Sequence, residues 1–450
     1  MIKTKEKLGY MFLSVSINIV YNFWSIYYLI YLTNVLKIPV YTAGIIITIG
    51  TIWDGINDPL IGYLCEKIKF KSKEKIRPYL KFASLPWAIF LILLFTNFHL
   101  SSTKAAISSC LLYILFEVFS TLMDIAYNAM GGLASDDDLE RRKINSFRSL
   151  GAGLGSGIGS VAVTPLVILF GGLQGENAIV SEADSKPLFL TALVMALISI
   201  FGALFLYFNT KERVKEKSET KEDISFIQAY KMLFKCDSWL KNMLYITFYT
   251  ISNNIIMTSI NYYAAYVLGS SSSATPIMAV YLVCFLLGSV IAPKISEKIG
   301  GKKVSILSAS ILILGKIPFI IMPKNAIFMY INAASIGLGA SLAYICFNTN
   351  RNNISDIIEI QNKRRLDSMV SSADNLASKL GNALIAQLIT ITLSLAGFDE
   401  ALKLNQNKAT INSICAMLGW IPLIIAILML IVVLRIDTEK EKQKSLNSFR

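Results

Sequence analysis

Long apolar runs recur along this chain, and nothing else constrains its fold as strongly. A bilayer core of about 30 Å needs roughly 20 apolar residues per spanning helix. Runs of that order fall near residues 8–33, 40–65, 79–97, 104–133, 144–172, 187–208, 238–268, 275–296, 304–322, 326–348, 368–397 and 409–435. Several exceed the minimum, which implies tilted helices or extensions beyond the bilayer. Only 16% of the residues are charged, against about 25% in soluble domains, so the excess apolar surface must face something other than water. The first run follows three lysines, as in a signal peptide, but it is too long for one and lacks a small-residue cleavage site. The sequence predicts an all-α membrane protein with twelve transmembrane helices.

The charges between the runs set orientation. Lys3, Lys5 and Lys7 precede the first run; Lys67, Lys69, Lys71, Lys73, Lys75 and Arg77 follow the second; Arg141, Arg142 and Lys143 follow the fourth. Residues 209–237 and 436–450 are also basic, whereas the alternate loops carry single lysines such as Lys37, Lys104 and Lys324. The positive-inside rule then puts both termini in the cytoplasm of a multi-pass cell-membrane protein. It also accounts for the net charge of +13, so no nucleic-acid partner is expected. The polar stretch Thr210–Asp223 divides the runs six and six. That predicts a bundle over 1–208, a linker over 209–237, a second bundle over 238–435 and a tail over 436–450. Residues 224–235 read as a short amphipathic helix on the inner membrane surface. Two bundles of six with a central linker are similar to the major facilitator fold, in which substrate sits near the midplane between the bundles. A monomer is expected.

Ionisable groups at mid-helix cost at least about 2.5–3.5 kcal/mol, so each is a functional candidate. Asp54 and Asp58 stand in Trp53-Asp54-Gly55-Ile56-Asn57-Asp58-Pro59, and their i,i+4 spacing stacks both carboxylates on one helix face. Two adjacent carboxylates in a low dielectric need a proton or a cation between them. Asn57 adds a neutral oxygen, and Pro59 frees the Gly55 carbonyl as a further donor. Glu117, Thr121 and Asp124 form one stripe of the fourth run, and Thr121 could complete a cation shell. Arg148 and Lys379 are the basic counterparts, with Asp54, Asp58, Asp124 and Asp374 as partners to choose from. Asn18 and Asn22, beside Tyr21 and Trp24, offer polar groups and flat apolar faces suited to a hydroxyl-rich solute; interhelical hydrogen bonding is the simpler use of any one asparagine.

Other features exclude chemistry. The six cysteines form no CxxC pair, so neither disulfides nor a metal site is expected beyond a Na+ at Asp54 and Asp58. Gly151, Gly155 and Gly159 form a small-residue face for close helix contact, and no Gly-Lys-Ser/Thr follows to make a phosphate loop. His99 is the only histidine. With no nucleophile–base pair or metal set, an enzyme and a resident cofactor are set aside.

The block Trp53-Asp54-Gly55-Ile56-Asn57-Asp58-Pro59 resembles the glycoside–pentoside–hexuronide:cation symporter family. Thr121-Leu122-Met123-Asp124-Ile125, Glu140-Arg141 with Arg148, Asp356, Glu359, Arg364-Arg365 and Ser378-Lys379-Leu380-Gly381 extend the resemblance over most of the chain. The resemblance implies a cation site at Asp54, Asn57, Asp58 and Thr121. It implies sugar contacts at Asp124 and Arg148, and a lysine, Lys379, that interacts with the acidic cluster. Where the family's melibiose carrier has a Lys-Asp pair in the first helix, this chain has Ile17-Asn18, and Asn128 replaces a sugar-stacking tryptophan. Asp374 and Glu117 also replace uncharged residues. Asn18, Asn128 and Asp374 therefore join Asp124, Arg148 and Lys379 as substrate candidates. The expected activity is symport of Na+ or H+ with a sugar or glycoside by alternating access. The alternative is a carrier of a non-sugar or lipid-like solute with the same cation site.

Overall fold

The computed structural model describes residues 2–68, 70, 74–171, 185–214, 225–270, 273–397 and 406–448. Lys69, Lys71 and Lys73 of the basic second loop, residues 215–224 of the linker and residues 449–450 of the tail lie outside the described residues.

Each apolar run is helical where it is described. The first half of the chain holds α1 (Thr4–Ile30, extended by a wider turn over Tyr31–Val35), α2 (Val40–Lys67), α3 (Arg77–Phe82) and α4 (Ser84–Leu94). It continues with α5 (Ser102–Leu133), α6 (Asp138–Leu169) and α7 (Lys186–Asn209). The linker contributes α8 (Phe226–Lys235), where the amphipathic helix is expected. Its start is fixed by a capping box: Ser225 Oγ accepts from the Gln228 N–H while the Gln228 side chain accepts from the Ser225 N–H. The second half holds α9 (Asp237–Tyr266), α10 (Ala274–Ile299), α11 (Gly301–Ile321), α12 (Ala326–Asn362) and α13 (Asp367–Leu395). It closes with α14 (Lys408–Leu418), α15 (Trp420–Arg435) and α16 (Thr438–Ser448). Among the described residues, nine helical stretches are long and apolar enough to cross a membrane by length and composition.

Three runs differ in detail from a single apolar rod. The third breaks at Ala83 into α3 and α4. The twelfth breaks at Gly419, where a Cβ would come within 2.9 Å of Ile320 Cγ1. The tenth runs well past residue 348, to Asn362, and stops only where Lys363 turns left-handed at φ 53°. Hydropathy ends a span where polar residues begin, but the backbone hydrogen bonds of α12 do not.

Two compact units make up the chain. Unit 1 is Met1–Asp136, Leu150–Lys215 and Asp367–Ser372; unit 2 is Asp137–Ser149, Glu216–Leu366 and Ala373–Arg450. In unit 1, α1 lies against the glycine face of α6: a Cβ on Gly155 would meet Val15 O at 2.7 Å and Asn18 Cβ at 2.8 Å. The small residues thus let two backbones approach closely. Glu212 closes the start of α3 by accepting the backbone N–H groups of Lys75, Ile76 and Arg77 at 2.9, 2.6 and 2.6 Å. Free N–H groups at a helix start favour such a carboxylate. Beside it, Arg213 donates to both carboxylate oxygens of Glu6 at 2.8 and 2.7 Å. That contact holds the guanidinium above its ordinary range.

In unit 2, α12 packs against α9, α10, α11 and α16, and α15 packs against α9 and α11. The core of this unit contains a charged group that the apolar pattern of the sequence hides. Lys316 on α11 is fully buried, and its Nζ has no hydrogen-bond partner. No Asp or Glu stands in the apolar runs of α10, α12 or α15, the helices packed against α11. Burying an ammonium away from water without a partner is costly, and an apolar side chain of similar volume avoids that cost. Lys316→Met is therefore expected to raise the thermal unfolding midpoint of the detergent-solubilised protein, and a lowered midpoint would show that the ammonium is compensated.

Candidate functional site

The acidic block falls on α2, whose chain continues as one helix through Pro59. The i,i+4 spacing puts both carboxylates against α5, which packs directly on α2. Thr121 of α5 joins them: its hydroxyl donates to Asp58 Oδ1 at 3.1 Å and lies 3.5 Å from Asp54 Oδ1. Asp58 is fully buried, and Thr121 and Asn57 are nearly so; Asp54 is half-buried. Asn57 Nδ2 donates to the Glu117 carbonyl at 3.3 Å, which fixes the amide to α5. A Cβ on Gly55 would find nothing within 4 Å, so open space borders the donor stretch. The result is a cluster of hard oxygens from two helices, largely removed from water at Asp58, Thr121 and Asn57. Carboxylate, hydroxyl and carbonyl oxygens suit small cations.

The structure brings Asp54, Asp58 and Thr121 into one contact group, with Asn57 beside them. Three substrate candidates lie in the same unit. Asn18 is half-buried on α1, donating to the Ser14 carbonyl at 2.9 Å and accepting from Ser156 Oγ at 3.2 Å. Asp124 and Asn128 are half-buried on α5, four residues apart. The other three belong to unit 2. Arg148 is buried on α6 and donates to Asn145 Oδ1 at 3.1 Å, and Asn145 Nδ2 donates to Thr349 Oγ1 at 3.2 Å. Asp374 is buried on α13, and Lys379 is half-buried five residues further on.

Sequence reasoning missed the partner of Asp374. Arg351 of α12 donates through Nη1 to Asp374 Oδ2 at 3.1 Å, with both side chains buried. Arg351 Nη2 also donates to Asn348 Oδ1 at 2.5 Å, and Arg148 lies within electrostatic range of both Arg351 and Asp374. Arg351 escaped notice because it lies beyond the apolar run of α12, in the polar stretch that reads as loop. The unusual acid at 374 was the available signal, since a buried carboxylate calls for a cation.

A model of the family described as MFS/sugar transport protein matches residues 9–440. The chain belongs to that family. This MFS sugar transport protein is 26% identical over 439 residues to the inner membrane symporter YicJ of Escherichia coli (strain K12), covering 96% of this chain and 92% of the relative. It is 23% identical over 432 residues to the isoprimeverose transporter of Lactiplantibacillus pentosus, covering 94% and 86%. Among solved structures, the E. coli fucose:proton symporter FucP superposes with a TM-score of 0.63 at 14% identity, over 94% of this chain and 97% of that one. The fold is therefore the all-α major facilitator fold, and the protein is a multi-pass membrane protein. Family membership also carries the activity: it is a sugar:cation symporter of the glycoside–pentoside–hexuronide type, a transporter and not an enzyme.

Proposed function

We propose that the chain couples entry of Na+ or H+ to uptake of a sugar or glycoside across the cell membrane, with both termini cytoplasmic, acting as a monomer through alternating access of its two six-helix halves. The observation that carries the reading is the Thr121 hydroxyl bridging Asp54 and Asp58. In this reading the cation is cargo. It enters between the two carboxylates, with Asn57 and Thr121 completing its oxygen shell. Without it, two carboxylates share a desolvated site and repel.

Asn18, Asp124, Asn128, Arg148, Asp374 and Lys379 are assigned to the solute. Carboxylates and amides accept and donate to sugar hydroxyls, and a guanidinium donates to two of them at once. A relative named as an isoprimeverose transporter supports a sugar or glycoside as the solute. Coupling follows from linkage: a cation that raises sugar affinity is itself bound more tightly when sugar is present. It requires that the cation-loaded acids favour the sugar-binding arrangement over the empty one.

A thermal-shift screen of the purified protein against a panel of sugars and glycosides, with and without Na+ and at two pH values, tests the assignment. A ligand at 100 times its Kd stabilises by about 2.7 kcal/mol, so at least one member of the panel should raise the midpoint, and raise it further with the coupling cation. A panel in which no sugar moves the midpoint under any condition would remove the sugar assignment.

A further inference from the structure

A chain of side-chain hydrogen bonds crosses three helices of unit 2 and ends at an exposed amide. It starts in the core at Tyr281 of α10, whose hydroxyl donates to Asn253 Oδ1 on α9 at 2.8 Å. Asn253 Nδ2 donates to Asn254 Oδ1 at 2.8 Å, and Asn254 Nδ2 donates to Asn382 Oδ1 on α13 at 2.9 Å. Tyr281 and Asn253 are buried, Asn254 is half-buried and Asn382 is exposed. Each amide uses its oxygen on the group before it. The last carboxamide therefore has its oxygen occupied and turns its two N–H donors outward. Among the described residues, none accepts from them.

An exposed amide midway along a membrane helix is out of place in lipid. α13 carries the large apolar residues it exposes, Leu380, Leu384 and Ile391, on one stripe. Asn382 stands two residues from both leucines, more than half a turn away, and so lies on the opposite side. Asn375 and Lys379, seven and three residues before it, share that side. α9 repeats the pattern: Asn254, Thr258 and Asn261 fall at i, i+4 and i+7, and Thr258 and Asn261 are exposed. Unit 2 thus has an apolar face that suits lipid and a polar face that suits water and a dissolved solute. Helix-to-helix hydrogen bonding is the simpler use of the Asn254–Asn382 contact. That use needs neither the buried relay behind the pair nor the exposure of Asn382. We propose that Asn382 is a further solute-binding residue, donating from Nδ2 to an oxygen of the sugar, and that Asn254, Asn253 and Tyr281 are positioning residues that fix the sense of its amide. This inference rests on the sugar reading above. It adds a chemical requirement: at this point the solute must offer an acceptor, namely a hydroxyl, ring or glycosidic oxygen. A donor oriented in advance loses less freedom when the solute arrives.

Thermal-shift titration of the purified protein tests it, using the sugar that stabilises the parent most. A parent that no sugar stabilises removes the sugar reading, and this assignment with it, whatever Asn382 does. Given a stabilising sugar, Asn382→Asp is the decisive variant. Its carboxylate keeps the shape and still accepts from Asn254 Nδ2, but it has no proton to donate. The apparent Kd for sugar should rise about tenfold, while the midpoint without sugar stays at the parent's value. Asn382→Ala should weaken binding to a similar degree, which separates the lost donor from the added charge. Tyr281→Phe leaves Asn382 in place and frees only the buried end of the relay, so it should weaken binding by less; parent-like affinity in Tyr281→Phe would remove the positioning role. Parent-like affinity in both Asn382 variants overturns the proposal. A sugar-free midpoint that falls in both also overturns it, because that outcome assigns the amide to holding α9 against α13.

Discussion

Replacing Asp58 by asparagine is expected to abolish cation-driven accumulation of sugar in a protein that still folds. Asp58 is fully buried and accepts the Thr121 hydroxyl at 3.1 Å, while the same hydroxyl lies 3.5 Å from Asp54. Asparagine keeps the volume and can still accept from Thr121, so packing is preserved. It removes the anion. Losing one partner of a desolvated charge pair costs about 3–5 kcal/mol, which weakens cation binding by about a hundredfold or more. Asp54→Asn should cost less, because Asp54 is only half-buried and further from Thr121. Uptake down a sugar gradient should persist in Asp58→Asn, since rocking without the cation is then no longer opposed by carboxylate repulsion. Radiolabelled uptake with and without an imposed cation gradient measures both quantities. Gradient-driven accumulation at the parent's level in Asp58→Asn would remove the cation from this site.

The second large effect concerns Asp374. Its carboxylate is the acidic partner of Arg351, at 3.1 Å, and both side chains are buried. Removing one member of a buried pair costs about 3–5 kcal/mol, because the other is left uncompensated. Asp374→Leu should therefore lower the thermal midpoint sharply or prevent folded protein from accumulating. Combining it with Arg351→Met should recover most of the loss, since a well-packed apolar pair can replace a buried ion pair at little cost. The double variant then separates two roles. If Asp374 contacts the sugar, as proposed, the refolded double variant loses its sugar-induced thermal shift. A double variant that is stable and binds sugar like the parent would reduce Asp374 to a structural group.

Much of the architecture was legible because the bilayer imposes a simple rule on sequence. The twelve apolar runs are helical where they are described, and their ends and two internal breaks needed the structure. Ala83 and Gly419 interrupt runs whose hydropathy does not change there, and α12 outlasts its apolar run because a helix needs satisfied hydrogen bonds rather than apolar side chains. At the cation site, the i,i+4 spacing of Asp54 and Asp58 gave their common face, and the stripe on the fourth run supplied Thr121. The packing of α2 on α5, which makes these one cluster, is a tertiary fact that local spacing does not encode. Arg351 and Lys316 show the limit more clearly. Arg351 lies 23 residues before Asp374 and on another helix, so no local pattern joins them. Lys316 is a single charge within an apolar run, where averaging over a window conceals it. The acid at 374, a departure from the family pattern, is half of a pair whose other half is Arg351.

The central claim is that a cation held by Asp54 and Asp58 drives sugar accumulation, and one measurement tests it most directly. Proteoliposomes holding the purified chain are given equal sugar on both sides and an inward gradient of Na+ or, separately, of H+. The account predicts net inward movement of sugar under at least one of the two gradients, abolished when an ionophore collapses the gradient and absent from Asp58→Asn vesicles. Sugar that stays at equilibrium under both gradients, in vesicles that exchange sugar freely, would contradict it.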